Sequence, residues 1–437
     1  MDASLGIYLV AIFAVLIVLG VPIAISIGVS SVAVLVYAMP FNVAISTSAQ
    51  KMVTGIDSFS LLAVPLFIMA GNIMNHGGIA RRLVDFAYLF VGRIPGSISH
   101  VNVVANMLFG SVSGSAVAAV AAVGKTLLPE ARQQGMDIPL FTAANIASGP
   151  TGQIIPPSNG MIVYSVVSGG TSIGALFLAG YIPGIIMGLC STLVLAVSLK
   201  LHPEWAGRPV DLKYSLKMAL RVIWRAAPSL AMIIVVIGGI IMGIYTATEA
   251  ACSAVVYALI LSLLYHQIDL KVLKNVAADT IVISSLVLFL IGCSSVMSYV
   301  LAYTQLPKMI SDAILGVTHS PVLILLFMNV ILLMVGMFMD LTPALLIFTP
   351  IFLPIATKIG IDPVHFGIIM MFNLCIGITT PPVGAALFVG CSVSGVSIEK
   401  ATRRLIPFFL MTVVGLMVVT YIPALSLWLP SLAGFIK

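Results

Sequence analysis

The chain has 437 residues, 60% of them hydrophobic and 8% charged, with a formal net charge of +6. A soluble domain carries about a quarter of its residues charged, so a soluble core with a polar shell is excluded and a polytopic all-α membrane protein is expected. The positive balance is what basic cytoplasmic loops produce, and it gives no reason to look for nucleic acid.

A bilayer core about 30 Å thick needs roughly 20 apolar residues per helix. The opening stretch, MDASLGIYLVAIFAVLIVLGVP, is acidic where a secretory signal is basic and lacks a small-residue cleavage site, so it reads as a retained first span. Crossings are predicted near 5–20, 23–38, 61–75, 139–167, 172–199, 228–245, 249–265, 277–303, 365–393 and 405–422. The most polar loop, with Lys200, Arg208, Lys213, Lys217, Arg221 and Arg225, belongs in the cytoplasm, and counting spans in both directions keeps Lys125, Arg132, Arg403 and Arg404 on that side. Two segments, 77–96 and 305–321, mix charge into a helical period and read as amphipathic helices lying along the interface.

Two apolar stretches resist assignment as single crossings. Residues 100–131 are interrupted by GSVSGS and residues 320–356 by GMFMDLTP, and each half is short, so both are expected to form re-entrant helical hairpins with polar tips. Irregular backbone at that depth must be buried in protein or line a water-filled cavity. The alternative is a pair of tilted spans joined by a loop.

The motifs GQIIPPSNG (152–160) and GITTPPVGA (377–385) stand at a constant offset of 225 residues. So do Pro129 and Pro354, Gly135 and Gly360, Asp137 and Asp362, Gly170 and Gly395, and Ser172 and Ser397. The chain therefore contains a duplication. An odd number of predicted crossings separates the copies, which makes them inverted repeats, the architecture of secondary transporters. The expected division is scaffold helices at 1–60 and a first repeat at 61–200 with an arm, a hairpin at 98–132 and a broken helix at 139–168. A basic loop at 201–225 and scaffold helices at 226–276 follow. The second repeat occupies 277–437, with an arm at 305–318, a hairpin at 320–358, a broken helix at 364–393 and a last span.

Proline removes a backbone donor and disfavours helix in the residue before it, so both motifs should be unwound and should expose carbonyl oxygens. Carbonyls and hydroxyls bind hard cations such as sodium. The first predicted cage comprises Ser111, Ser113 and Ser115 with Gly149, Thr151, Gly152 and Pro156. The second comprises Gly336, Asp340 and Thr342 with Gly377, Thr379, Thr380 and Pro381. Ser158, Asn159 and Asn373 are placed near the substrate between them. For each Ser, Thr or Gly alone, the competing reading is a hydroxyl bonded back to its own helix or a glycine used for packing. Asp340 is the sharpest candidate because an intramembrane carboxylate is costly; its bland alternative is a loop aspartate in water. Glu249 reads first as a helix cap. Five scattered cysteines without CxxC read as packing residues, and without HExxH or GxxxxGK[ST] no enzyme chemistry or cofactor is expected.

At SGPTGQIIPPSNGMIVY, GMFMDLTPALLIFTPIFLPIA and ITTPPVG, and over essentially its whole length, the sequence resembles the large membrane subunit of tripartite ATP-independent periplasmic (TRAP) transporters. The resemblance implies a bacterial inner-membrane sodium symporter working by an elevator movement. It also implies a small four-helix membrane partner and a periplasmic binding protein that delivers an organic anion, sialic acid or a C4-dicarboxylate. By similarity the family's two sodium sites fall on the residues named above and its second-hairpin aspartate falls on Asp340. The family usually has proline where TATEAA has Ala247, outside those sites. Because the first span follows almost directly on the start, the small subunit is expected as a separate polypeptide. The rivals are a carrier or exchanger that works without a binding protein, a channel, and a non-transporting scaffold subunit; inverted, proline-broken repeats favour transport.

Overall fold

The computed structural model describes residues 3–208, 216–381 and 384–436; Lys213 and Pro382 lie outside the described residues. Everything regular in the described chain is helical. Three helices open it: α1 Ala3–Val18, α2 Ile23–Ala38 and α3 Phe41–Ile56. α4 Ala63–His76 and the amphipathic α5 Ile79–Val91 lead to a hairpin of α6 Ser97–Ser113 and α7 Ala116–Gln133. A broken crossing follows as α8 Ile138–Ser148, α9 Thr151–Ile154 and α10 Asn159–Val167, and then the continuous α11 Ile173–Leu201. α12 Leu216–Ile241, α13 Ala247–Leu264 and the long α14 Leu270–Thr304 form the middle. The pattern then returns: α15 Leu306–Val317, the hairpin α16 Pro321–Gly336 and α17 Leu341–Lys358, the broken pair α18 Pro363–Gly377 and α19 Ala385–Ser394, and α20 Ile398–Tyr421. α21 Ala424–Leu432 closes the chain.

The residues that mark the repeat in sequence do the same local work in each copy. Gly135 and Gly360 both take left-handed φ, at 70° and 82°, and Gly170 and Gly395 do so at 101° and 72°. Asp137 caps α8 by accepting from Leu140 N at 2.7 Å, and Asp362 caps α18 by accepting from Val364 N at 2.7 Å. Ser172 and Ser397 precede α11 and α20, and Ser115 and Asp340, also 225 apart, stand at the N-caps of α7 and α17. The offset thus records positions at which the backbone has to turn or begin a helix.

Among the described residues seven helices are long and apolar enough to cross a membrane, and α1, α2, α16, α18 and α19 are shorter apolar helices. Large apolar side chains such as Val18, Ile234, Leu286 and Leu410 stand exposed on the outside, where lipid tails would cover them. α14 spans about 52 Å at 1.5 Å per residue and packs along α2, α3 and α4, while α4 also packs on α13. On the other side the two repeats interlock: α7 lies against α19, α20 against α8 and α11, and α10 against α17. Tyr164 Oη donates to Pro363 O at 2.6 Å, and Arg132 donates to Ser394 O at 2.9 Å, so each broken crossing is tied to the other copy.

Several boundaries differ from those read in sequence. α12 begins at Leu216, so Lys217, Arg221 and Arg225 lie on helix and Pro228 sits inside it. One missing N–H is tolerated where neighbouring helices cover the freed carbonyl. α3 carries Ser46, Thr47, Ser48, Gln50 and Lys51 and is not among the helices apolar enough to cross, in agreement with the predicted crossings. α17, the second arm of the second hairpin, has 18 residues and is long enough to cross, although with GMFMDLTP interrupting the stretch each half was expected to be too short for a span of its own. Glu249 forms a capping box: its Oε2 accepts from Thr246 N at 2.7 Å while Thr246 Oγ1 accepts from Glu249 N at 3.3 Å.

Candidate functional site

The first break is made by three prolines. Pro150, Pro156 and Pro157 offer no N–H, Ile155 is extended (ψ 121°) ahead of Pro156, and the Pro156–Pro157 bond is cis. Among the described residues, the carbonyls of Ile155, Pro156 and Pro157 accept no hydrogen bond. A buried carbonyl without a partner is costly, so three in succession form a site that wants a donor or a cation.

The first hairpin's tip is seated on this break. Gly110 and Gly152 approach so closely that a Cβ on Gly110 would lie 2.5 Å from Gly152 Cα. Gly114 turns the tip at φ 62°, and a Cβ there would stand 3.3 Å from Pro157 O and 3.6 Å from Asn159 Nδ2. The predicted tip and loop residues are therefore neighbours. Ser111 donates to Leu108 O at 2.8 Å and Thr151 to Ser148 O at 2.6 Å; Ser115 accepts from Ala118 N at 3.3 Å as the cap of α7. The Ser111 and Thr151 protons return to the local backbone, and Ser115 serves its own helix as a cap, as the packing alternative requires. Their oxygens nonetheless keep lone pairs, and a cation needs no proton. Ser158 Oγ and Asn159 Oδ1 are buried with no partner, as is Asn373 Oδ1, so all three residues predicted near the substrate carry an unsatisfied oxygen.

Sequence reasoning missed the network that holds hairpin and break together. Asn106 Nδ2 reaches Asn145 Oδ1 at 3.0 Å and Ser148 Oγ at 2.8 Å, and Asn145 Nδ2 donates to Val120 O at 2.9 Å, all buried. In the second copy Asn373 Nδ2 donates to Asn329 Oδ1 at 2.8 Å and O at 2.9 Å, and Asn329 donates to Thr420 Oγ1 at 3.2 Å. Gly110 was missed as well, although it lies 226 residues before Gly336.

The second break repeats the contact. A Cβ on Gly336 would lie 3.0 Å from Gly377 Cα, so this tip too is seated through a glycine pair. A cavity of about 210 Å³ opens here between Gly336, Asp340, Ile378 and Gly384, with Ile23 of α2 on its far wall. Asp340 is exposed at its mouth, at the N-cap of α17. A helix N-terminus by itself repels cations, so a carboxylate placed there is what would let a cation approach. The predicted second set is only partly gathered. Thr380 does not line the cavity: its carbonyl accepts from Gly384 N at 3.2 Å and its hydroxyl donates to Ile376 O at 2.8 Å. Thr379 lines a separate small apolar pocket with Ala147 and Phe408. Thr342 and Pro381 are half-buried and do not line the cavity.

A further cavity of about 280 Å³ lies between α3 and α14 on one side and α10 and α17 on the other. Lys51, Thr54, Ser294, Ser295 and Ser298 line it, with Leu346 and Val167 opposite. Ser294 Oγ is buried without a partner, and Lys51 Nζ lies 5.0 Å from the Tyr299 ring centroid. The lining holds a cation and hydroxyls but no carboxylate, a combination suited to an anion. Its residues are scattered over roughly 300 positions, which is why no local motif announced it. Among the described residues no three His, Cys, Asp or Glu side chains group to hold a metal.

Residues 10–425 match the family described as the tripartite ATP-independent periplasmic transporter, DctM component. The chain is 50% identical over 420 residues to YgiK of Salmonella typhimurium, covering 96% of each. It is 37% identical to the isethionate TRAP transporter permease DctMQ of Oleidesulfovibrio alaskensis, covering 95% of this chain and 65% of that one. It is 36% identical to the sialic acid TRAP transporter large permease SiaM of Vibrio cholerae, covering 89% and 90%. Among solved structures, the YdaH transporter of Alcanivorax borkumensis superposes with a TM-score of 0.59 at 15% identity, over 90% of this chain and 89% of that one. That likeness concerns the fold.

Proposed function

The chain belongs to the DctM component family of tripartite ATP-independent periplasmic transporters, and from that premise we propose that it is the large permease of a sodium-coupled importer of organic anions in the bacterial inner membrane. A small four-helix membrane subunit and a periplasmic binding protein complete the transporter. The two hairpins are re-entrant and carry their tips to the middle of the bilayer. The block of hairpins and broken helices moves as an elevator against α2, α3 and α14.

One observation carries this proposal: the glycine-on-glycine seating of a hairpin tip upon a proline-made break, found twice, at Gly110 on Gly152 and at Gly336 on Gly377. Each seat adjoins oxygens suited to a small hard cation, the free carbonyls of residues 155–157 in one copy and Asp340 in the other. Inverted copies of such a unit are how secondary transporters exchange inward for outward access.

The anion's place is between the two tips, toward the cavity where Lys51 and Ser294 face the moving block. The substrate class is a small organic acid. Relatives named for isethionate and for sialic acid stand at 37% and 36% identity, so overall similarity does not choose between a sulfonate, a C4-dicarboxylate and a sialic acid. The test is uptake into vesicles holding this chain with its small subunit and binding protein. Uptake is expected to require an inward sodium gradient; uptake unchanged when potassium replaces sodium refutes the coupling. Full transport by this chain alone would favour a carrier that needs no binding protein, the rival that shares this fold.

A further inference from the structure

One cavity lies away from the hairpin tips and plays no part in the transport proposal. It encloses about 610 Å³ where α5 meets α12 and the end of α13, lined by Arg81, Arg82 and Asp85, Trp224 and Arg225, and Tyr265.

Its charges are unequally spent. Arg81 is paired with Asp85 at 3.4 Å and Glu130 at 3.2 Å. Arg82 lies 3.2 Å over the Tyr265 ring centroid and donates to Gly78 O across a long 3.4 Å. Arg225 has no carboxylate within 4.0 Å among the described residues. Neither Arg82 nor Arg225 is therefore paired with a carboxylate within 4.0 Å among the described residues, and a planar fork is the side chain best matched to phosphate oxygens. The carboxylate in the cavity, Asp85, is held by Arg81 on its own helix and feels the charge of Arg225 as well, while burial pushes its pKa up.

The rim decides what kind of phosphate fits. Trp224 is 82% exposed, and next to it on α12 and α13 stand Leu220, Ile223, Leu263 and Leu264, all exposed. A free phosphate has no use for such a wall, whereas acyl chains would cover it and leave the headgroup among the arginines. Tryptophan and tyrosine at the mouth are the residues that settle at headgroup depth. Basic pockets between membrane helices are suited to anionic headgroups for the same reason.

We infer that this cavity is a binding site for an anionic phospholipid, whose phosphodiester is held by Arg82 and Arg225 while its chains lie along α12 and α13. Its position gives the lipid a mechanical role. Glu130 of the hairpin arm α7 bonds both Arg81 and Tyr88 Oη, the latter at 2.7 Å, so the occupant sits against the joint between α5 and the first hairpin.

The test uses the full chain, purified and stripped of lipid, by native mass spectrometry and thermal unfolding with added phosphatidylglycerol, phosphatidylcholine or inorganic phosphate. Phosphatidylglycerol is expected to stay bound and to protect, with phosphatidylcholine at least about tenfold weaker and inorganic phosphate without effect. The double variant Arg82→Gln, Arg225→Gln should lose that preference, Arg82→Lys should weaken it, and Arg403→Gln on another surface should leave it intact. Equal retention of both lipids, an unchanged preference in the double variant, or protection by inorganic phosphate alone overturns the assignment. So does loss of the bound lipid when the small membrane subunit is co-purified, since the surface would then belong to that partner. None of these outcomes depends on sodium or on transport.

Discussion

Gly377→Ala adds one methyl group at the second glycine seat. The new carbon would lie 2.5 Å from Gly336 Cα and C and 2.7 Å from its carbonyl oxygen. Comfortable carbon contacts begin near 3.5 Å, so the two backbones must part by about 1 Å, and nothing flexible stands between them to absorb the shift. Overpacking of this kind costs about 1–3 kcal/mol. A cation is held at about 2.3–2.6 Å, so the same displacement that relieves the clash pulls tip oxygens away from loop oxygens. If the strain falls mainly on the cage, the sodium concentration for half-maximal uptake should rise about 5- to 150-fold. The assay is vesicle uptake against a sodium titration with potassium as balance, beside thermal unfolding of the same protein. Gly238→Ala, where a Cβ would meet nothing within 4 Å, is the control and should change stability by no more than about 1 kcal/mol, in the favourable direction for a helix. Wild-type sodium dependence together with wild-type unfolding in Gly377→Ala would show that the close approach has no role, and the seating argument would fall. A loss of stability with unchanged sodium dependence would keep the packing claim and remove the cage.

Asp340→Asn keeps the shape of the side chain and removes its charge, so assembly and unfolding should be near wild type while the half-maximal sodium concentration rises by about tenfold or more; an unchanged titration would take Asp340 out of the second cage. Lys51→Gln should raise KM for the organic anion about tenfold and leave the sodium titration alone, with Lys51→Arg recovering most of the loss; a shift in sodium dependence instead would place Lys51 in coupling and not in substrate contact.

The duplication was legible because it is written in residues with backbone duties. Gly135 and Gly360 keep left-handed φ and Asp137 and Asp362 cap helices, so these identities at the 225-residue offset have a physical reason to persist. Hydropathy located most crossings because lipid-facing surface must be apolar over a fixed length. Its boundaries slipped at Pro228, which was taken as the start of a crossing although α12 continues through it from Leu216.

The site was less legible than the fold, and the reason is instructive about what a motif can encode. A proline break can be recognised locally, since its effect is on the bonds of its own residues. What sits on the break is chosen by the tertiary contact, and there the deciding residues are the ones with least chemistry. Gly110 touches Gly152 across 42 positions and leaves no signature beyond the absence of a side chain. Asn106 and Asn145 look like ordinary polar residues in an apolar run until they are seen to bond each other. Conversely, Thr379 has the right chemistry at the right spacing, yet its side chain faces an apolar pocket and its hydroxyl goes back to Ile376. If the proposed cages hold a cation, the backbone of the broken helix would supply much of the coordination, and side-chain identity would report the cage only where charge is required, at Asp340. A cage built this way should tolerate Thr379→Val far better than Gly377→Ala, although the first changes chemistry and the second only adds a methyl group.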